Sequence, residues 1–182
     1  MSATTTALPT GTWNVDSTHS RVGFRVKHLG ISTVRGHFDD YEGQLVIDHD
    51  GNVTAGGSVK VASVDTADSD RDNHLKGADF FDAESLPEIT FQSTSITAKD
   101  EDTYEITGDL TMHGVTKAIT LTAEVGGSEL DPFGNTRVGL EATGELSRSD
   151  YGMKFNMALG SGNLAVSDKV KLDLDISAVK AS

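Results

Sequence analysis

Apolar and polar residues alternate with a period of two along most of this chain. In the last such segment, Leu172, Leu174 and Ile176 alternate with charged and small polar residues. Successive side chains of a β-strand point to opposite faces, so this pattern predicts strands with one buried and one solvent-exposed face. The clearest segments cover 21–28, 104–112, 119–125, 138–146 and 170–177.

The alternation changes phase once, between residues 34 and 47. Apolar residues occupy even positions up to Phe38 and odd positions from Tyr41 onward. A slip of one residue would turn the buried face of the strand outward. We therefore predict a β-bulge near Asp39–Asp40, where an extra residue would restore the inward face.

Short turns connect neighbouring strands. Asp50-Gly51 and His113-Gly114 are turn sequences in which glycine supplies a positive φ. Short connections without βαβ spacing favour a meander, and a meander of about eight strands removes its exposed edges by closing on itself. The pattern therefore predicts an all-β fold, an eight-stranded antiparallel barrel around an apolar interior.

The alternation is absent from residues 65–88. Ser69 is placed as a helix N-cap, acidic residues follow in the first turn, and Gly77 is a stop signal. We predict one short helical crossover, about 66–86, that lies over one end of the barrel. A second brief helical turn is predicted at Ser149 or Asp150.

The chain is acidic, with 28 Asp and Glu residues against 15 Lys and Arg residues and a net charge of −13. Nucleic acids and anionic membrane surfaces attract positive charge, so we predict no nucleic-acid partner and disfavour an anionic membrane surface. The absence of cysteine excludes disulfides, thiolate metal sites and cysteine nucleophiles. No apolar run approaches the ~20 residues that cross a bilayer, so no membrane span is predicted.

The N-terminal residues lack the basic and apolar regions of a secretory signal. We predict a disordered segment over 1–12, a single domain over 13–180, and a cytoplasmic location.

Candidate chemistry is sparse. The sequence has no G-x-S-x-G, H-E-x-x-H or phosphate-binding glycine motif, and no two histidines have metal-ligating spacing. We predict no enzymatic activity, no metal site and no cofactor.

Arg71, Asp72 and His74 lie together in the crossover. Either Arg71 or His74 contacts a polar ligand head at the barrel mouth, or Arg71 pairs with a carboxylate while Asp72 acts as a cap. His28 falls on the apolar phase of its strand. It is either an imidazole at the edge of the core, bonded to a backbone carbonyl, or a contact for the ligand.

Several glycines fall on the apolar phase of their strands. Glycines that point inward would leave volume for a cavity or tunnel. Glycines at these positions would equally serve strand coiling at barrel corners. The residues concerned are Gly36, Gly43, Gly57, Gly108 and Gly144.

Four sequence blocks, in order, resemble the YceI family. They are WNVDSTHSRVGFRVKHLGISTVRGHFDDYEGQL, RDNHLKGADFFDAESLPEITFQST, GDLTMHGVTKAITL and SRSDYGMKF, and the similarity extends from Trp13 to Val179. The resemblance implies an elongated, lipocalin-like eight-stranded barrel that binds a long polyisoprenoid, a prenylated quinone or polyprenyl lipid, in its lumen. It also implies a homodimer, and it supplies no catalytic residue.

We therefore expect binding, storage or transport of an isoprenoid lipid. The alternatives are an enzyme that uses His28, Asp72 or His74 on an apolar substrate, and a packed, ligand-free barrel that binds a protein partner. Phe80 and Phe81 are candidates for the mouth. The remaining candidate ligand-binding residues are Val22, Phe24, Val26, His28, Phe38, Leu45, Ile47, Phe91, Ile106, Leu110, Met112, Leu121, Leu140, Leu172 and Leu174.

Overall fold

A computed structural model describes residues 8–162 and 164–182. Strands account for most of the chain, as the alternation predicts. They are β1 (Gly11–Val15), β2 (Arg21–His28), β3 (Ser32–Phe38), β4 (Tyr41–Ile47), β5 (Val53–Lys60), β6 (Val64–Asp65), β7 (Glu88–Ala98), β8 (Thr103–Met112), β9 (Val115–Leu130), β10 (Thr136–Ser147) and β11 (Val166–Lys180). The described helical elements are α1 (Ser69–Lys76) and 3₁₀ turns at Ser17–His19, Val61–Ser63 and Arg148–Tyr151.

The strands form one closed antiparallel sheet with eight barrel positions. At three of these positions, two consecutive strands follow one another along the barrel wall. β1 and β2 pair with successive parts of β11, at Val15–Ala178 and Val22–Leu174. β3 and β4 continue one another in the same way, as do β5 and β6. The pairing of β1 with β11 closes the ring, so the predicted eight-stranded antiparallel barrel is confirmed.

The predicted phase change falls between β3 and β4, but it is not a bulge within one strand. Asp39 and Asp40 form a bend that separates the two strands. This bend bonds to the neighbouring strand: Asp39 N donates to Ser63 O, and Lys60 N donates to Asp40 O. The 3₁₀ turns at Ser17–His19 and Val61–Ser63 interrupt the adjacent strands. The barrel therefore bends at this level across three neighbouring strands.

The crossover contains α1, within the predicted 66–86. Its N-cap is Asp68, whose side chain accepts from Arg71 N, so the prediction of Ser69 as the cap was wrong by one residue. The helix ends at Gly77, as predicted. The second helical turn is the 3₁₀ turn at Arg148–Tyr151.

The N-terminal boundary differs in part from the prediction. Gly11 and Thr12 belong to β1 and pair with Ile47 and Val46, so order begins before residue 13. Residues 8–10 are described as well, whereas residues 1–7 of the predicted disordered segment lie outside the described residues. The single-domain boundaries of 13–180 stay a prediction. In the described part of the chain, no helix is long and apolar enough to cross a membrane.

Two groups of buried side chains lie at different levels of the barrel. The smaller group surrounds Trp13 at one end, which we call the closed end. The larger group lies at the other end, where the crossover and the segment after Arg148 meet the strands, and it includes Phe38, Phe80 and Phe81. The space between these groups is where the candidate site lies.

Candidate ligand-binding cavity

A cavity of about 570 Å³ lies inside the barrel between the two groups of buried side chains. Its wall is formed by residues of β1–β5 and β7–β11, and by residues of the crossover and of the segment after Arg148. The predicted residues that line it are Val22, Phe24, Val26, His28, Phe38, Leu45, Phe80, Phe81, Phe91, Ile106, Leu110, Met112, Leu121, Leu140, Leu172 and Leu174. That any of them contacts a ligand stays a prediction.

Ile47 is the exception among the predicted lining residues. Its side chain packs with Trp13, Val138 and Ala178 in the group at the closed end. The alternation correctly placed Ile47 on the inward face, but it carries no information about depth along the barrel. Ile47 is therefore part of the closure and not of the cavity wall.

The cavity leaves the inward side chains of the middle level incompletely covered. Leu140, Leu172 and Leu174 are all only half-buried, although they face the interior. In a filled barrel, side chains at this depth would be fully buried, since protein interiors are close-packed. This open space favours a hollow barrel over the packed, ligand-free barrel that the sequence left as an alternative.

The inward glycines do not themselves create this space. A Cβ on Gly36 would lie 2.3 Å from the ring of Phe24, and a Cβ on Gly108 would lie 2.4 Å from the ring of Phe91. A Cβ on Gly144 would lie 2.6 Å from Leu121 Cδ2. These glycines therefore make room for a large side chain on the neighbouring strand. The space left by these three glycines is therefore taken up by neighbouring side chains.

The crossover supplies polar groups at the mouth of the cavity. Arg71 donates from Nε to Thr66 Oγ1 at 2.8 Å and from Nη2 to Thr66 O at 2.6 Å. Asp72 accepts from the backbone N and the hydroxyl of Thr66. Arg71 and His74 line the cavity, whereas Asp72 is used in holding the Thr66 backbone. Asp72 therefore caps a backbone N–H group, that of Thr66, which agrees with the capping role considered from the sequence.

The carboxylate partner considered for Arg71 is not found among the residues that the structure describes. Its guanidinium bonds only to Thr66 there, and the side chain is exposed at the mouth. His74, in contrast, has a carboxylate 2.9 Å from Nε2, that of Asp79. The positive charge of Arg71 is therefore available to a group that enters the mouth.

Aromatic rings surround this mouth. Phe155 makes edge contacts with His74 and Phe80 at centroid distances of 5.0 and 5.3 Å. Phe81 contacts Phe38 at 5.9 Å. Phe80 and Phe81 are buried beside the cavity rather than free at its entrance, because they also anchor the crossover to the strands.

Arg148 is a cavity residue that the sequence analysis missed. Its buried guanidinium donates to the carbonyls of Met153, Phe155, Val166 and Ser167 at 2.8–3.2 Å. Burial lowers the pKa of this side chain. The four carbonyls hold the segment after β10 against the barrel, and Met153, Phe155 and Val166 line the cavity. This segment has no alternation, so its contribution had no periodic signal.

One surface cluster outside the cavity has ligand atoms with metal-like spacing. His37 Nε2 lies 3.0 Å from Asp39 Oδ1 and 3.9 Å from Asp65 Oδ2. The two aspartates and the histidine lie at the surface, near the bend between β3 and β4. Pairing of an imidazole with two carboxylates accounts for the cluster, and we assign no metal to it.

The comparison with known proteins decides the family. A profile of the YceI-like domain matches residues 13–178. The chain belongs to the YceI family. The resemblance seen in the sequence blocks is thereby confirmed. The chain is similar to Protein YceI of Escherichia coli O157:H7, at 41% identity over 149 residues, which cover 79% of this chain and 75% of that protein. A UPF0312 protein of Photorhabdus laumondii is 39% identical over 150 residues, with 79% and 76% coverage.

Solved structures of YceI proteins share the barrel. The Campylobacter jejuni YCEI protein has 34% identity and a TM-score of 0.74, and the match covers 92% of this chain and 96% of that one. A polyisoprenoid binding domain from Saccharophagus degradans has 19% identity and a TM-score of 0.69, with 93% and 98% coverage. At that identity the likeness concerns the fold.

Proposed function

We propose that this YceI protein binds one long isoprenoid lipid, a prenylated quinone or a polyprenyl lipid, in the barrel cavity. The observation that carries the proposal is the space of about 570 Å³ inside the barrel, with walls made mainly of aliphatic and aromatic side chains. This volume lies in the usual range of small-molecule sites, about 300–1,000 Å³. The name of the Saccharophagus degradans domain, which states polyisoprenoid binding for that protein, supports the choice of ligand.

The driving force is transfer of the tail out of water. Each buried CH₂ group contributes ~0.8 kcal/mol, so an apolar tunnel needs no charged residue along its length. The wall fits this requirement, because its middle level presents residues such as Ile106, Leu140 and Leu174. Binding of this kind serves storage or transport and needs no catalytic group.

The head of the ligand is proposed to lie at Arg71. Its guanidinium uses one Nε and one Nη2 donor on Thr66 and faces the cavity mouth with its remaining donors. A quinone carbonyl or a phosphate accepts such hydrogen bonds, and guanidinium is well suited to both. His28 and His74 line the same cavity and are proposed as further contacts for the head.

We propose binding rather than catalysis because of where the candidate acid–base groups lie. The carboxylate of Asp72 accepts two hydrogen bonds from Thr66 and is not part of the cavity wall. His74 is hydrogen-bonded to Asp79 at the surface. Asp72 and His74 are thus bonded to other protein groups, and His28, the third candidate, lines the cavity and is proposed as a ligand contact. The homodimer and the cytoplasmic location stay predictions.

The first experiment asks whether the protein takes up such a lipid. Protein purified without detergent is extracted with organic solvent, and separately titrated with a prenylated quinone while the fluorescence of its tyrosines and Trp13 is followed. We expect about one bound molecule per chain, since an eight-stranded barrel holds one small ligand. A protein that yields no lipid and does not respond to the quinone would contradict the proposal.

A matched pair of variants tests the place of binding. Leu140→Trp puts a larger side chain into the cavity, whereas Glu141→Trp puts the same side chain on the outer face of β10. We expect the first variant to lose most quinone binding and the second to bind as the parent does. Equal binding by both variants would place the ligand outside the cavity. Arg71→Gln should weaken binding of a quinone with an intact head more than binding of the tail hydrocarbon alone.

A further inference from the structure

Three large apolar side chains are exposed together at the mouth end of the barrel. Ile31 is 82% exposed, Met157 is 62% exposed and Leu164 is 53% exposed. We call these three residues the mouth patch. Monomeric proteins seldom expose neighbouring large apolar side chains without a use for them, since such patches mark interaction surfaces.

Backbone hydrogen bonds hold the patch together. Leu29 N donates to Ala165 O at 2.9 Å, and Ala165 N donates to Met157 O at 2.9 Å. Ile31 is two residues from Leu29, in the turn between β2 and β3, and Leu164 precedes Ala165. The turn and the segment before β11 therefore lie side by side.

This surface borders the cavity. Met157 and Ala165 both line the cavity wall, as do Lys27 and His28 at the end of β2. An apolar ligand that enters or leaves beside Met157 passes directly across the exposed patch. The patch therefore connects the lumen to whatever the protein contacts at this end.

The two chain segments that carry the patch differ in charge from the whole chain. The sequence carries a net charge of −13, yet residues 17–38 and 151–167 contain no acidic residue. They include exposed Lys27 and Lys154, and within the described ranges neither lysine has an ion-pair partner. The crossover, residues 66–86, carries six acidic residues against two basic ones. It borders the same end through the contact of His74 with Phe155, so the positive side is that of the β2–β3 turn.

We infer that the mouth patch docks on the surface of a phospholipid bilayer, with Ile31, Met157 and Leu164 in the interface and Lys27 and Lys154 near the headgroups. Exposed apolar residues flanked by lysines are the composition that binds membrane interfaces. The inference rests on the proposed function, because an isoprenoid lipid resides in a bilayer and would have to cross water to reach a protein that stayed away from it. The net charge of the whole chain predicts weak attraction to anionic surfaces. This face differs from that prediction.

A second copy of the chain is a less suitable occupant. A twofold contact through the mouth patch would place Lys27 and Lys154 of both copies close together, since such an interface uses the same surface twice. It would also cover the cavity mouth on both subunits. A lipid surface meets neither difficulty.

The test is co-sedimentation with ligand-free vesicles of phosphatidylcholine, with and without phosphatidylglycerol. We expect the parent protein to bind, with tighter binding to the vesicles that contain phosphatidylglycerol. The double variant Ile31→Ser, Leu164→Ser should bind about tenfold more weakly, because interfacial affinity scales with the apolar area inserted. Lys27→Ser with Lys154→Ser should remove the preference for phosphatidylglycerol.

The closed end supplies a matched control. Leu130 and Phe133 lie in and beside the β9–β10 turn, and they are 64% and 87% exposed. Leu130→Ser with Phe133→Ser removes as much exposed apolar surface as the patch variant does. We expect this control to bind vesicles as the parent does. Equal losses in both double variants would mean that binding has no preferred face, and would overturn the inference.

Further measurements separate docking from ligand binding. A quinone titration without vesicles should give the same affinity for the parent and for Ile31→Ser, Leu164→Ser. A parent that binds quinone but does not sediment with vesicles would overturn docking and leave the proposed function intact. Sedimentation with vesicles but no response to quinone would do the reverse. If the patch variant instead converts a dimer to a monomer in sedimentation velocity, the patch is an interface between copies and the inference fails.

Discussion

The closed end and the middle level of the barrel are built from the same alternating strands but are filled differently. At the closed end, Trp13 is 0% exposed and packs with Ile47, Val138 and Ala178. In the middle level, Leu140 and Leu174 face inward and are only half-buried beside the cavity. Alternation therefore sets which residues point inward. The size and shape of the side chains at each level decide whether the lumen is filled.

The polar groups at the two ends also differ. Near the closed end, Arg137 bonds to Asp16 Oδ2 at 2.8 Å and to Asp131 Oδ2 at 2.7 Å, and it links β10 to the chain between β1 and β2. At the mouth, Arg71 and Lys27 have no carboxylate within ion-pair distance among the described residues. Arg137 therefore contributes to closure, whereas Arg71 and Lys27 are exposed at the mouth.

The strongest test of this comparison is truncation at each level. Trp13→Ala should lower the free energy of unfolding by about 3–5 kcal/mol, the usual loss for a buried Trp. Leu174→Ala should cost less, about 1–2 kcal/mol, because its side chain already borders open space and loses less burial. Urea denaturation monitored by circular dichroism measures both changes. Equal losses would mean that the middle level is as well packed as the closed end.

Filling a glycine site should have an intermediate effect. Gly108→Ala brings a methyl group against the Phe91 ring, so we expect a loss of about 1–3 kcal/mol from overpacking. The reduced side chain in Phe91→Leu should relieve part of this loss in the double variant, which thermal unfolding of the four proteins would show. Additive losses would place the Phe91 ring away from Gly108. The contrast is with Leu140→Trp, which enlarges a side chain where the cavity offers space.

The smallest expected effect concerns acid stability near the closed end. Hydrogen bonding to Arg137 holds the pKa of Asp16 well below its ordinary value, and bonds from the Asn135 backbone and from Arg137 lower the pKa of Asp131 to about 2. Because both folded-state pKa values are lowered, their contribution is present above the unfolded pKa of about 4 and is lost as pH falls toward 2.

Arg137→Met should therefore reduce stability at neutral pH and flatten its decline between about pH 4 and pH 2, as measured by urea midpoints across that range. Lys99→Met serves as the control, since it removes the half-exposed ion pair with Glu105 and should leave the acid profile unchanged. An unchanged profile for the Arg137 variant would show that the pair of aspartates is stabilised by its turn hydrogen bonds alone.

Much of the architecture could be predicted from local pattern. The inward faces of β2, β8 and β11 followed from alternation, and the crossover followed from its loss between 65 and 88. Asp68 displaced Ser69 as the cap because both residue types can cap a helix and only the backbone geometry selects one. The family followed from four sequence blocks, which depend on residue order rather than on any physical pattern.

The strands, their inward faces and the barrel class could be predicted from the sequence, because a period of two is a local property of the chain. The tertiary structure was needed to show that Ile47 closes the barrel while Leu45 lines a cavity, since depth along the lumen depends on strand register. It also decided that inward glycines accept Phe24 and Phe91, and that Arg148 joins the cavity wall from an irregular segment. These features arise between strands far apart in the chain, where no local period carries the information.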